Sequence, residues 1–182
     1  MILGAVLAGG QSSRFGSDKA LAELGGRTLL ARAVATLEAQ CDAVIVIGRY
    51  DAPSATIPDR PRSGMGPLGG INAALHHAVS HGYSDVLTCG VDCGGLGPQT
   101  CSDLAPAPAY VADQPVIGLW PASAAPALDA FLASDAKHSM RAFAGMIGAR
   151  PVTLSAKPAN INTREDLVAA QEQHDGLCQD GL

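Results

Sequence analysis

The chain has 182 residues, of which 47% are hydrophobic and 16% are charged, and its formal net charge is −5. These values predict one soluble globular domain and exclude a largely disordered chain. The negative charge argues against general binding to nucleic acid or to anionic lipid, and no apolar run approaches the ~20 residues that a membrane span needs. The N-terminus lacks the basic flank of a signal peptide, and none of the five cysteines has zinc-site or redox spacing. We therefore expect a cytoplasmic protein with reduced thiols.

In the first half of the chain, apolar runs alternate with helical patterns. The runs predict strands at 2–8, 43–48 and 85–91, and the patterns predict helices at 28–40 and 67–80, with Gly82 closing the second helix. The intervening segment at 49–65 is rich in proline and predicts a loop.

The second half gives a weaker pattern. Strands at 110–112 and 115–120 fit a hairpin, and their prolines argue against a central position in the sheet. The remaining predicted elements are helices at 124–133 and 140–147, a strand at 152–154 and a last helix that opens at Thr163. This order predicts an α/β three-layer sandwich with a mostly parallel central sheet. Residues 1–174 are expected to form the single domain, and 175–182 a flexible tail.

Directly after the first strand, residues 7–21 read Leu-Ala-Gly-Gly-Gln-Ser-Ser-Arg-Phe-Gly-Ser-Asp-Lys-Ala-Leu. Free backbone N–H groups together with Arg14 and Lys19 suit a nucleotide triphosphate, although the loop matches neither a Walker A motif nor the dinucleotide-binding fingerprint. The alternative is a turn in which the glycines only permit positive φ and the two cations are solvated.

Carboxylates follow other predicted strands, and in parallel sheets ligands bind at this carboxyl edge. Asp92 ends an apolar strand and is a candidate Mg²⁺ ligand, while Asp59 is a candidate second contributor to the metal site or a nucleotide contact. Alternatively, Asp92 caps a helix near Pro98 and Asp59 is a turn residue. Either the side chains of Asn160 and Asn162 both enter the site, or Asn162 or Thr163 only caps the last helix.

Four segments occur in an order that resembles a known family. They are Leu7-Ala-Gly-Gly-x-Ser-x-Arg-x-Gly-x-Asp-Lys-Ala-Leu21, Gly66-Pro-Leu-Gly-Gly70, Asp92 and Asn160-Ile-Asn-Thr-x-Glu-Asp-Leu167. The chain resembles the molybdenum cofactor guanylyltransferases (MobA-type), which are nucleotidyltransferases of Rossmann-like fold. The resemblance covers nearly the whole chain. It departs from the family pattern at Arg49, near a position where asparagine is frequent, and in the glycine-rich segment after Asp92, where the family usually has a proline.

The resemblance implies Mg²⁺-dependent transfer of GMP from GTP to the terminal phosphate of molybdopterin, with release of pyrophosphate. It implies catalytic roles for Arg14, Lys19 and Asp92, with Mg²⁺ on Asp92 and the acceptor near Asn160 and Asn162. The implied nucleotide contacts are Leu7, Ala8, Gly9, Gly10, Lys19, Asp59 and Asp92. Related cytidylyltransferases tend to carry alanine at the position of Gly9, so glycine there favours guanine.

The resemblance also implies partners among other proteins of cofactor biosynthesis or molybdoenzyme maturation. Two other functions stay open on the sequence. One is a cytidylyl- or other nucleotidyltransferase that acts on a different phosphorylated acceptor. The other is a non-catalytic GTP-binding regulatory domain, which the altered segment after Asp92 suggests.

Overall fold

The structure is a computed structural model, and it describes residues 1–9, 15, 18–94, 96–154 and 159–179. Within these ranges the strands are β1 (Ile2–Leu7), β2 (Glu23–Leu24), β3 (Arg27–Thr28), β4 (Ala43–Ile47), β5 (Ala55–Ile57), β6 (Asp85–Gly90), β7 (Cys93–Gly94), β8 (Ala109–Val111), β9 (Gln114–Pro121), β10 (Arg150–Val152) and β11 (Ala159–Asn160). The helices are α1 (Leu29–Glu38), α2 (Pro67–His81), α3 (Thr100–Leu104), α4 (Ala125–Ala133), α5 (Met140–Met146) and α6 (Arg164–Gln179). None of these helices is long and apolar enough to span a membrane.

A seven-stranded sheet organises the fold, in the order β10-β8-β9-β6-β1-β4-β5. Every neighbouring pair in it is parallel except the two that contain β9. The predicted α/β architecture with a mostly parallel central sheet is therefore confirmed. Strands β5, β4, β1 and β6 are consecutive neighbours and run in one direction. Their carboxyl ends therefore present four loops at one edge of the sheet.

Helices cover both faces of the sheet because the strand side chains alternate between two apolar cores. Leu3 and Ala5 of β1 pack with the side of the sheet that α2, α4 and α5 cover. Val6 packs with the opposite side, beneath α1 and α3. Gly4 lets α1 approach closely, since a Cβ atom there would lie 3.0 Å from Leu37 Cβ. The first strand is thus buried on both faces, as its unbroken apolar run predicts.

The predicted hairpin of β8 and β9 is confirmed, but the argument from its prolines against a central position is wrong. Strand β9 lies inside the sheet, between β8 and β6. Pro115 and Pro121 lie near the two ends of β9, so neither interrupts the middle of the hydrogen-bonded ladder. In that middle, Gly118 faces the indole of Trp120, which leaves no room for a Cβ atom.

Several short elements are not apparent in the sequence. Strand β5 lies inside the predicted loop at 49–65, and α3 and the two-stranded pairs β2–β3 and β7–β11 were also missed. These strands have two or three residues, which is too short for a recognisable period. The last helix runs to Gln179 and so continues beyond residue 174. A division of the chain at that residue stays a proposal.

Candidate active site

Three side chains meet beyond the end of β6. The Lys19 ammonium donates to Asp92 Oδ2 at 3.0 Å and to Asn162 Oδ1 at 3.3 Å. Lys19 is 8% exposed, whereas the Asp92 side chain is 31% exposed. A largely buried cation is thus held by two oxygen groups that are 73 and 143 residues away in sequence. The fold brings together three of the predicted site residues at one point.

The position of Asp92 depends on the residues around it. A Cβ atom at Gly90 would collide with Asp92 Oδ1, so the carboxylate can fold back over this strand end only because residue 90 is glycine. The backbone carbonyl of Asp92 accepts from the Ile161 N–H at 3.3 Å. Next to it, β7 pairs with β11, with Cys93 opposite Asn160. The glycine-rich segment after Asp92 therefore joins the asparagine motif to the strand end.

Asn162 contacts both Lys19 and the first turn of the last helix. Its side chain accepts from Lys19, and its backbone N–H donates to Asp166 Oδ2 at 2.8 Å. Thr163 caps the last helix, because its hydroxyl accepts from the Asp166 N–H at 3.1 Å and its own N–H donates to Asp166 Oδ2 at 2.9 Å. The N–H groups of Asn162 and Thr163 hold the pKa of Asp166 below its usual value. The cap thus fixes the position of Asn162, whose side chain contacts Lys19.

Lys19 begins a 3-10 turn, Lys19–Leu21, which Asp18 caps. Asp18 Oδ1 accepts from the Ala20 N–H at 3.1 Å, and the Asp18 carbonyl accepts from the Leu21 N–H at 3.1 Å. The other carboxylate oxygen, Oδ2, lies 2.7 Å from Arg49 Nη1. Arg49 lies two residues after the end of β4, so this ion pair joins the loop after β1 to the loop after β4.

A second group of residues lies at the ends of β1, β4 and β5. An added Cβ at Gly9 would lie 3.2 Å from Gly48 Cα and 3.5 Å from Asp59 Oδ2, and one at Gly70 would lie 3.6 Å from Asp59 Oδ1. Gly48 has a φ of +79°, and both Gly9 and Gly48 are exposed. The Asp59 carboxylate therefore lies next to three glycines, of which the exposed pair, Gly9 and Gly48, forms a floor without side chains. Such a floor permits close approach of a flat ligand.

Burial raises the pKa of one side chain next to each of the two groups of site residues. Burial raises the pKa of Asp59, and a hydrogen bond from the Gly64 backbone opposes this rise. Next to Asp92, burial together with the Asp92 charge raises the pKa of the Cys93 thiol to about 12. Cys93 is therefore a protonated thiol at neutral pH and not a nucleophile or a thiolate ligand. The cysteines at 41, 89, 93 and 101 have free thiols.

The remaining predicted residues lie at the same edge or outside the described structure. Leu7 ends β1 and its Cδ2 would lie 2.9 Å from a Cβ at Gly70, while the Ala8 N–H continues the ladder to the Ile47 carbonyl at 2.9 Å. Gly10 and Arg14 lie outside the described residues, as does the side chain of Asn160. Sequence reasoning did not single out Gly48 and Gly90, whose only signal is glycine at the end of an apolar strand.

The side-chain oxygens of Asp92 and Asn162 around Lys19 fit a hard divalent cation. They are a partly exposed carboxylate and an amide oxygen, which are the ligand types that Mg²⁺ prefers. Among the described residues there is no group of three or more His, Cys, Asp or Glu that could hold a metal ion. One carboxylate is nevertheless sufficient where substrate phosphates complete the coordination. The site thus fits an ion that binds together with a phosphorylated substrate.

The chain is similar to known proteins over nearly its full length. A sequence model of the MobA-like NTP transferase domain matches residues 4–152. A molybdenum cofactor guanylyltransferase of Rhodobacter capsulatus is 36% identical, with 94% of this chain and 96% of the relative covered. The corresponding protein of Rhizobium leguminosarum bv. trifolii is 35% identical, with 97% and 94% covered.

Solved structures agree with this fold. The crystal structure of molybdopterin-guanine dinucleotide biosynthesis protein A from Archaeoglobus fulgidus superposes with a TM-score of 0.71 at 20% identity, covering 97% of this chain and all of that one. At this identity the likeness shows the fold alone. The family match and the two relatives carry the assignment further: the chain belongs to the MobA-like NTP transferase family.

Proposed function

We propose that this chain is a molybdenum cofactor guanylyltransferase, which transfers GMP from GTP to the terminal phosphate of molybdopterin and releases pyrophosphate. Its relatives at 35–36% identity carry that name. The observation that carries the proposal is the buried Lys19 ammonium between Asp92 and Asn162, at the sheet edge where Asp59 faces the glycine floor. Lys19 with its two partners suits phosphates, and Asp59 with the glycine floor suits a nucleotide base.

The reaction is a direct displacement at the α-phosphorus of GTP. Both reactants are anionic, so the site must mainly neutralise charge and align the groups in line. Lys19 would stabilise the charge that builds on the departing pyrophosphate, and Arg14 would do the same. The phosphate nucleophile is already ionised near neutral pH, so the reaction needs no general base.

Asp92 would hold Mg²⁺, with Asn162 as the neighbouring oxygen donor. When bound, the ion would supply Lewis-acid stabilisation and a template for the phosphate oxygens. The protein contributes the shape of the site, because Gly90 allows the carboxylate to fold back and the Ile161 N–H holds the Asp92 backbone. Lys19 orients the carboxylate before substrate arrives.

Guanine selection follows from the Asp59 carboxylate. Guanine presents two neighbouring donors, N1–H and the N2 amino group, and a carboxylate can accept from both. Cytosine presents one donor next to an acceptor, which a carboxylate would repel. The floor of Gly9 and Gly48 leaves room for a purine, so we assign the base to this side and the acceptor to the side of Asn160 and Asn162.

The cellular setting is part of the same proposal. Free thiols at four of the described cysteines fit a reducing compartment, and we propose that the reaction takes place in the cytoplasm. The proposed partners are GTP, molybdopterin and proteins of cofactor biosynthesis or molybdoenzyme maturation.

The test is pyrophosphate release with molybdopterin as acceptor and Mg²⁺ present. We expect release with GTP and not with CTP, and we expect Lys19→Ala and Asp92→Ala each to abolish it while circular dichroism stays unchanged. Lys137→Gln is the matched control, because it removes one exposed positive charge outside the site. Full activity in both site variants, or tighter binding of CTP than of GTP by calorimetry, would contradict the proposal.

A further inference from the structure

Arg49 forms an ion pair with Asp18. Neither the contacts of Lys19 nor the glycine floor next to Asp59 explains the role of this pair. Its Nη1 atom lies 2.7 Å from Asp18 Oδ2, and its Nε atom donates to the Asp51 carbonyl at 2.9 Å. The Arg49 side chain is 17% exposed and the Asp18 side chain 46%. The guanidinium is thus largely covered and held from two directions, unlike a long cation that moves freely on the surface.

Asp18 connects this guanidinium to Lys19. One Asp18 oxygen accepts from the Ala20 N–H and the other pairs with Arg49. The capped turn carries Lys19, whose ammonium reaches Asp92 and Asn162. A change at Arg49 therefore affects Lys19, on the proposed phosphate side of the site, through Asp18.

Arg49 also adjoins the proposed base side. It follows Gly48, which lies against Gly9 and Asp59. The loop after β4 thus contacts both groups of the site, with Gly48 on the glycine floor and Arg49 on the turn that presents Lys19.

We infer that Arg49 is a positioning residue, which neutralises the Asp18 carboxylate beside the triphosphate site and thereby keeps Asp18 in place as the cap of the Lys19 turn. The inference rests on the proposed function. An unpaired carboxylate at residue 18 would repel the phosphates of GTP, and it would turn toward solvent, which would loosen the turn and displace Lys19. An uncharged asparagine needs no such counter-charge. A direct contact between Arg49 and the phosphates is the competing role, and the test separates the two.

The test is a double-mutant cycle with Arg49→Gln, Asp18→Asn and the double variant. Asparagine keeps the side-chain oxygen that caps the turn but removes the charge. We expect Arg49→Gln to weaken GTP binding about tenfold while guanosine binding is unchanged, because guanosine lacks the phosphates. We expect Asp18→Asn and the double variant both to stay within about threefold of wild type. Lys137→Gln controls for the loss of one positive charge.

Two results would overturn the inference. If the double variant binds GTP as poorly as Arg49→Gln, then Arg49 contacts the phosphates directly. If Arg49→Gln binds GTP like wild type, the ion pair has no role in the site.

Hydrogen exchange gives a readout that does not depend on the proposed function. The amides of residues 20–22 should exchange faster in Arg49→Gln and recover in the double variant. Unchanged exchange in Arg49→Gln would also contradict the inference. Wild-type protein that transfers no GMP would contradict the proposed function instead, and the exchange data would still report on the turn.

Discussion

Replacing Gly48 by alanine tests the glycine floor most severely. The residue has a φ of +79°, and a Cβ atom there would lie 2.6 Å from Gly9 Cα and 2.9 Å from Gly9 N. An ordinary carbon contact is at least 3.4 Å, so the two strand ends would have to separate by about 0.8 Å. Gly9 by contrast leaves 3.2 Å to the nearest atom, so alanine at residue 9 requires a smaller displacement.

The expected cost of Gly48→Ala has two parts. The positive φ costs roughly 1 kcal/mol for a residue with a Cβ atom. The overlap with Gly9 adds about 1–3 kcal/mol, as overpacking does elsewhere. For a chain of this size the sum corresponds to a fall in Tm of roughly 4–16 °C. We also expect GTP affinity to fall at least about tenfold, because the backbone that would contact the base is displaced.

Gly82→Ala is the matched control. Gly82 has a φ of +77° and has no atom within 4 Å of an added Cβ, and it lies at the end of α2. Gly82→Ala should therefore lower the stability only by the cost of the positive φ and leave the GTP affinity unchanged. The measurements are thermal unfolding and titration calorimetry with GTP. If Gly48→Ala matches Gly82→Ala in Tm and binds GTP like wild type, the close approach of the two strand ends has no part in nucleotide binding.

Three further predictions concern other parts of the molecule. Because burial raises the pKa of Asp59 above 3.8, GTP affinity should fall on acidification at a pH above that value, and a calorimetric pH series should show no such step in Asp59→Asn. Asn162→Ala should raise KM for molybdopterin about tenfold and KM for GTP less, as steady-state kinetics would measure; equal effects would contradict its place on the acceptor side. Thr88 accepts from the buried Trp120 Nε1 at 2.9 Å, so Thr88→Val should lower the unfolding free energy in urea by about 1–3 kcal/mol without changing GTP affinity.

The raised pKa of Asp59 also has a consequence for stability. Its contribution to folding is largest below pH 3.8 and is lost as pH rises through the folded-state pKa, since burial penalises the ionised form. Relative to wild type, Asp59→Asn should therefore gain stability on going from acid to neutral pH. A constant difference in unfolding free energy across that range would contradict the burial of Asp59.

The long elements could be predicted from the sequence because their pattern is local. The apolar run of β1 and the residues around α2, with Pro67 at its start and Gly82 at its end, mark these elements without reference to the rest of the chain. The argument against a central position for β9 failed because proline matters only where it interrupts the ladder, and the sequence does not show the register.

The site could be predicted in its residue types but not in its contacts. Lys19 and Asp92 were expected at one edge because strand ends converge there. That Asn162 also reaches Lys19 depends on the pairing of β7 with β11, and two-residue strands leave no pattern to read. The role of Gly90 likewise depends on the direction in which the Asp92 side chain folds.

The most direct test of the proposed activity follows the label of α-³²P-GTP incubated with molybdopterin, Mg²⁺ and the protein. We predict that the label appears in a molybdopterin–GMP product, with one pyrophosphate released per product, and that neither forms with Asp92→Ala. Label that stays in GTP, or equal transfer from α-³²P-CTP, would contradict guanylyl transfer by this chain.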